Sequence, residues 1–136
     1  MKINGGRVIS VSAERLDQGK FEGFDVSIKI TDVKEVDKGL EIYFDHGTDY
    51  RDKFAKMHIQ GVVRADADEK ERKKIVEDWK KTKQFPTGVV EEVLMAINYI
   101  TSSVGTLLAF AINVNAPVNV PKTRIMEMPG QSVKAG

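Results

Sequence analysis

The chain has 136 residues, of which 41% are hydrophobic and 30% charged, with a formal net charge of +1 and no cysteine. This size and composition are typical of one globular domain with a single core. The small net charge gives no general attraction to nucleic acid or anionic lipid, and the lack of cysteine excludes disulfides and thiol nucleophiles. No apolar run is long enough for a secretion signal or a membrane span, so we expect a cytoplasmic protein.

Four segments in the first half of the chain have the two-residue apolar period of a β-strand. They lie around Arg7–Leu16, Phe24–Ile30, Leu40–Phe44 and Met57–Val63. The connections between them are short, which favours an antiparallel sheet with one apolar face. The sequence therefore predicts a four-stranded antiparallel sheet.

Two polar stretches are predicted to connect these strands. Glu35–Gly39 reads as a turn with Gly39 at a positive φ, and the stretch from His46 to Asp49 reads as a hairpin loop. His46 could hold a metal ion together with Asp49 and Asp52, but a plain polar loop explains the same residues. His58 falls on the polar side of its strand. We therefore predict no catalytic residues, no metal and no cofactor.

Two helices are predicted after the sheet. The stretch Asp66–Asp68 offers an N-cap for a charged helix over Asp68–Lys83. The acids and bases of this helix nearly cancel, which does not favour nucleic acid. The Phe85–Pro86 step opens a second, apolar helix, which Gly105 is predicted to end or kink. The order of strands and then helices indicates an α+β fold with the helices packed on one face of the sheet.

An apolar segment follows the second helix. Phe110, Ile112 and Val114 alternate with smaller or polar residues, which predicts an extended chain, while Pro117 and Pro121 exclude a central strand. Because one small sheet cannot cover this additional apolar surface, we expect it to contact a partner or a second copy of the chain. Residues 1–121 are predicted to form the single domain and residues 122–136 a loosely ordered tail.

The second half of the chain resembles the SecB-like family of proteins. In that family a Phe-Pro step opens a long helix, a Gly-Thr step ends it, and an extended loop reaches a Pro-[Ile/Val]-Asn step. The corresponding features are Phe85–Pro86, Gly105–Thr106 and Pro117–Asn119. The four preceding strands match the family's sheet in number and order. The resemblance therefore covers about Arg7–Val120.

This resemblance implies an ATP-independent chaperone, a holdase, that forms a homodimer or homotetramer and binds unfolded polypeptides in apolar grooves. The family's loop after the long helix lines the groove and matches Thr106–Val120. The implied polypeptide-binding residues are Leu107, Phe110, Ile112, Val114, Val118 and Val120. The acidic tail of the family is missing, which argues against a role in protein export.

Two other functional classes remain open from the sequence. One is a homo-oligomeric scaffold or antitoxin-type partner protein of the same fold, in which the apolar segment completes the core or an interface between copies. The other is a small-ligand enzyme that uses the loop of His46, Asp49 and Asp52. Suppression of the aggregation of an unfolded protein separates the chaperone from the scaffold, and metal analysis of the purified protein tests the enzyme.

Overall fold

The computed structural model describes residues 1–16 and 23–117, which form one four-stranded antiparallel sheet followed by two helices. The elements are β1 (Lys2–Arg15), β2 (Phe24–Val36), β3 (Gly39–Tyr50), a 3-10 turn (Arg51–Lys53), β4 (Ala55–Asp66), α1 (Glu69–Thr82) and α2 (Thr87–Ala111). The strand order is β1-β4-β3-β2, so β1 and β2 are the two edges. The predicted fold class is confirmed.

The core lies between one face of the sheet and both helices. On β3, Leu40, Ile42 and Phe44 alternate with more exposed residues and are at most 1% exposed. They form one cluster with Ile75 of α1 and Ile97 of α2. The alternating apolar pattern therefore places one face of the central strands under the helices.

The turn between β2 and β3 forms where it was predicted, but the reason for its glycine differs. Lys38, and not Gly39, has the positive φ, of 59°. A Cβ on Gly39 would instead overlap the carbonyl oxygen of Ala65 on the neighbouring strand β4. Gly39 is thus required by the close approach of two strands.

The predicted loop from His46 to Asp49 is wrong, because β3 continues as a strand to Tyr50. His46, Thr48 and Tyr50 are 6%, 2% and 3% exposed and extend the buried face of this central strand. The pairing of β3 with both β2 and β4 satisfies its backbone along most of this length. The chain turns after Tyr50, where Asp52 adopts a positive φ of 60°.

The charged helix α1 has the predicted start and buried face. The Asp68 side chain accepts a hydrogen bond of 2.8 Å from the Glu71 backbone N–H, as an N-cap does. Ile75 and Trp79 are buried, and the helix ends at Lys83 in the left-handed conformation. The remaining faces of α1 are charged.

The predicted end or kink of α2 at Gly105 is wrong, since the helix continues to Ala111. A single glycine costs a helix about 1 kcal/mol, which packing offsets here. Gly105 is buried, and a Cβ placed on it would lie 3.2 Å from the ring of Pro117. By length and composition α2 could cross a membrane, although Val93, Ile97 and other residues of one face are buried inside this fold.

Candidate functional site

The outer face of α2 carries four large apolar side chains that are more than two thirds exposed. Their exposed fractions are 72% for Met95, 80% for Tyr99, 68% for Leu107 and 70% for Phe110. α2 is therefore apolar on both its buried and its exposed face, which is unusual for a helix that has only water on one side. We call these four residues the outer stripe.

The outer stripe follows one line along the helix. Met95, Tyr99, Ser103 and Leu107 are spaced four residues apart, so each lies about one turn, or about 6 Å, beyond the previous one. Phe110 follows Leu107 by three residues and extends the same face. Ser103 divides the stripe into an apolar pair at each end. From Met95 to Phe110 the stripe spans about 22 Å of the helix, with Ser103 between its two pairs.

The predicted extended segment from Phe110 to Val114 is wrong. Phe110 is in the last turn of α2, Ile112 caps the helix, and Asn113 has a positive φ of 56° that reverses the chain. The backbone N–H of Val114 then donates a 3.0 Å hydrogen bond to the carbonyl of Ala109. The alternating pattern failed as a guide because Phe110, three residues after Leu107, also continues the helical spacing of α2.

Ile112–Pro117, which we call the C-terminal strap, is held against the sheet. The Tyr50 hydroxyl donates a hydrogen bond to the Asn115 carbonyl, and the Arg15 guanidinium donates one of 2.6 Å to the Asn113 carbonyl. Burial raises the pKa of Tyr50 to about 12, so this hydroxyl stays protonated as a donor. Val114 packs in a cluster with Tyr50 and is 9% exposed. The strap is therefore part of the folded domain.

The structure separates the residues that the sequence grouped as a binding site. Leu107 and Phe110 are exposed together at the end of α2, Ile112 is half-buried, and Val114 belongs to the core. Val118 and Val120 lie outside the described residues. Met95 and Tyr99 were missed, although their four-residue spacing with Leu107 was a signal for a second apolar helix face.

A groove between β1 and α2, the β1 groove, lies beside the first half of the outer stripe. It has a volume of about 720 Å3, and Met95, Tyr99 and Ile100 line its helix side. Gly5 and Gly6 form part of its strand side. A Cβ on Gly6 would lie 2.7 Å from the Ile100 side chain, so glycine allows α2 to approach β1 closely. Met95 and Tyr99 thus stand at the edge of an apolar depression.

A second groove, the β2 groove, lies along the opposite edge of the sheet. It has a volume of about 780 Å3 and is lined by Ile28 and Ile30 of β2 and by Trp79, Phe85 and other residues at the junction of α1 and α2. The Trp79 and Phe85 rings are stacked with centroids 5.6 Å apart. Because β2 is an edge strand among residues 1–16 and 23–117, no strand of that part of the chain pairs with its outer side, which lies next to this aromatic pair.

The metal cluster that the sequence left open at His46, Asp49 and Asp52 does not form. His46 is buried, whereas Asp49 and Asp52 are exposed. Within residues 1–16 and 23–117, no group of three His, Asp or Glu side chains could hold a metal ion. His58 is half-exposed and lies 3.1 Å from a carboxylate oxygen of Asp45 on β3, as expected for a solvated histidine. Desolvation lowers the pKa of His46 below its ordinary value.

Comparisons with known proteins identify the fold. No protein-family model matches the chain, and no curated protein matches it. Among solved structures, the chain is similar to the SecB-like chaperone Rv1957 of Mycobacterium tuberculosis, solved in complex with a ChAD peptide from the Rv1956 HigA1 antitoxin. The identity is 13%, the TM-score is 0.52, and the match covers 88% of this chain and 85% of that one. The chain therefore has a SecB-like fold.

Proposed function

We propose that this protein is an ATP-independent chaperone, a holdase, that binds unfolded polypeptides through the outer stripe of α2. The observation that carries the proposal is the exposure of Met95, Tyr99, Leu107 and Phe110 on one face of a single helix. The fold supports it, since the SecB-like neighbour is a chaperone solved with a peptide. The proposal includes a cytoplasmic location and an assembly of two or four copies.

The energetics of the outer stripe suit weak binding of many sequences. Complete burial of one large apolar side chain contributes about 1.5–3 kcal/mol, and each member of the stripe still has most of that area exposed. Ordering an unfolded chain offsets much of this gain, which leaves a moderate affinity. Ser102 and Ser103 are the exposed residues at the middle of the stripe and carry no charge. An apolar, uncharged surface selects for hydrophobic segments and not for one sequence.

A second candidate function is self-association through the same stripe, without client binding. The observation that favours it is symmetry, because Tyr99 and Leu107 are each four residues from Ser103. Two copies of α2 crossing antiparallel at Ser103 would place Tyr99 of each against Leu107 of the other, as a twofold interface requires. The protein would then be a homo-oligomeric scaffold or partner-binding protein.

Suppression of aggregation distinguishes these candidates. A thermally unfolded model enzyme, citrate synthase, is heated with and without the protein while light scattering is recorded. The holdase proposal predicts less scattering with the wild type and a smaller effect with a Leu107→Ser/Phe110→Ser variant. Exposed polar residues Thr87 and Gln84 provide a matched control, as Thr87→Ser/Gln84→Ser should behave like wild type.

The oligomeric state of the same variants completes the test. If light scattering of the purified protein shows that Leu107→Ser/Phe110→Ser turns an oligomer into a monomer, and the wild type does not suppress aggregation, the scaffold function replaces the holdase. If the variant keeps its assembly and loses suppression, the outer stripe binds clients.

A further inference from the structure

A small cavity lies between the sheet and α2, beside His46 of β3. It has a volume of about 160 Å3. His46 is 6% exposed, and its Nδ1 makes no hydrogen bond within residues 1–16 and 23–117. A buried polar side chain of this kind destabilises the fold unless it gains a hydrogen-bond partner. We call this space the His46 cavity.

Part of the lining of the His46 cavity is apolar. Phe24 and Val26 of β2 and Pro117 of the C-terminal strap contribute this part. A protein cavity of about 150 Å3 with apolar walls binds benzene. The His46 cavity therefore has the size and the apolar surface that one six-membered aromatic ring requires.

The residues that α2 contributes to the lining are polar but uncharged. They are Asn98, Thr101 and Ser102. Desolvation lowers the pKa of His46, so its imidazole is neutral at neutral pH and none of the described lining residues is charged. Because burial of a charge without a partner charge is costly, the cavity suits a neutral ligand and not an ion.

The same α2 residues indicate how a ligand would enter. Asn98 and Ser102 are exposed, whereas Thr101 is 3% exposed. The entrance therefore lies beside Asn98 and Ser102, and Thr101 and His46 lie farther inside. The Thr101 hydroxyl donates to the Ile97 carbonyl at 2.8 Å, so its oxygen can still accept a hydrogen bond.

We propose that the His46 cavity binds a neutral phenol group, whose ring lies against Phe24 and Val26 and whose hydroxyl hydrogen-bonds the imidazole of His46. A neutral imidazole has one nitrogen that donates and one that accepts, and a phenol hydroxyl does both, so it can pair with either tautomer. An apolar ring without a hydroxyl would leave the imidazole unpaired. The site does not rest on the proposed chaperone function, because it involves neither the outer stripe nor a client.

Titration with phenol tests the site, with the backbone amide and imidazole resonances of isotope-labelled protein followed by nuclear magnetic resonance. Phenol should shift the amide signals of Thr101 and Ser102 and the ring nitrogen signals of His46 in a saturable way. The ring signals of His58, which lies beside Asp45 and does not line the cavity, should not move. Benzene has the ring without the hydroxyl, so it should bind about three- to tenfold more weakly through loss of one hydrogen bond.

Two neighbouring serines of α2 provide matched variants. Ser102→Phe places a ring at the entrance and should weaken phenol binding about tenfold or more, because the cavity has no room for two rings. Ser103→Phe adds the same ring at the next residue, which is also exposed but does not line the cavity. Its affinity for phenol should equal that of the wild type. Since both serines are exposed, both variants should fold.

Competition with N-acetyltyrosinamide separates two sources of a phenol group. Displacement of phenol would show that a tyrosine side chain of another polypeptide enters the cavity, whereas phenol binding without displacement would assign the site to a free phenol. The proposal is overturned if Thr101 and Ser102 show no saturable shift, if benzene binds as tightly as phenol, or if the two serine variants have equal affinity. None of these measurements uses a client, so the phenol site and the proposed function fail separately.

Discussion

Replacement of Val114 by alanine tests whether the C-terminal strap is part of the core. Val114 is 9% exposed and packs with Tyr50, Phe54 and Met57. The change removes two carbon atoms, at about 0.8 kcal/mol each, and the remaining cavity adds to this loss unless the strap settles into it. We therefore expect the free energy of unfolding to fall by about 1.5–2.5 kcal/mol.

An aspartate at position 114 should lower the free energy of unfolding by more than alanine does. The loss is limited by complete detachment of the strap. Val114→Asp cannot bury its carboxylate without a large penalty, so the strap is expected to detach. Detachment loses the burial of Val114 and the hydrogen bonds from Tyr50 and Arg15 to the strap, each worth about 1 kcal/mol. The loss should thus level off at about 3–4 kcal/mol.

Urea denaturation followed by circular dichroism measures both variants, with Leu107→Ala as the control. Leu107 is 68% exposed, so its truncation should change the free energy of unfolding by less than about 0.5 kcal/mol. The expected Val114→Ala loss corresponds to a fall in Tm of several degrees. If Val114→Ala and Leu107→Ala are equally mild, Val114 is not buried and the account of the strap is wrong.

Three further predictions concern other parts of the fold. Desolvation lowers the pKa of His46 in the folded state, so the unfolded state binds the proton first as the pH falls. The free energy of unfolding should therefore decrease below about pH 6.5. His46→Gln should flatten this pH dependence in urea titrations at several pH values. Gly6→Ala should lower the free energy of unfolding by about 1–3 kcal/mol, because the added Cβ overlaps with Ile100. Gly5→Ala should be close to neutral, since no atom lies within 4 Å of its added Cβ. Equal melting temperatures of the two variants would contradict the packing of α2 on β1. Asp68→Ala removes the N-cap of α1 and should cost about 1 kcal/mol, and an unchanged urea midpoint would contradict that role.

The sheet and both helix starts could be predicted because local pattern and tertiary burial agree there. On β3, Leu40, Ile42 and Phe44 alternate in sequence and are buried in the structure. At the start of α1, Asp68 has a side chain suited to capping and performs that role. In both places one short stretch of sequence contains all the information that its structure requires.

The end of β3 and the course of the strap could not be predicted because they depend on distant residues. His46 and Thr48 are polar, yet they lie on the buried face of β3, so their composition indicated a loop that does not exist. Gly105 resembles a helix stop, but its missing side chain makes room for Pro117. For Phe110, a period of two with Ile112 and a helical spacing of three from Leu107 both fit the sequence, and only tertiary packing decides between them.

The four exposed side chains of α2 could have been anticipated in part. Met95, Tyr99 and Leu107 lie four and eight residues apart, a helical spacing that defines a second apolar face. The family resemblance instead implied a binding site in the segment Thr106–Val120 after the helix. Of that segment's described large apolar residues, Leu107 and Phe110 are exposed, and they lie on the helix itself.

Direct binding of an unfolded polypeptide is the measurement that tests the central claim most closely. Fluorescein-labelled, reduced and carboxymethylated α-lactalbumin is titrated with the protein while fluorescence anisotropy is recorded. If the outer stripe binds clients, the wild type should show saturable binding. The affinity should be at least tenfold weaker in Leu107→Ser/Phe110→Ser and unchanged in Thr87→Ser/Gln84→Ser. Absence of binding by the folded wild type, or equal affinity in all three proteins, would contradict it.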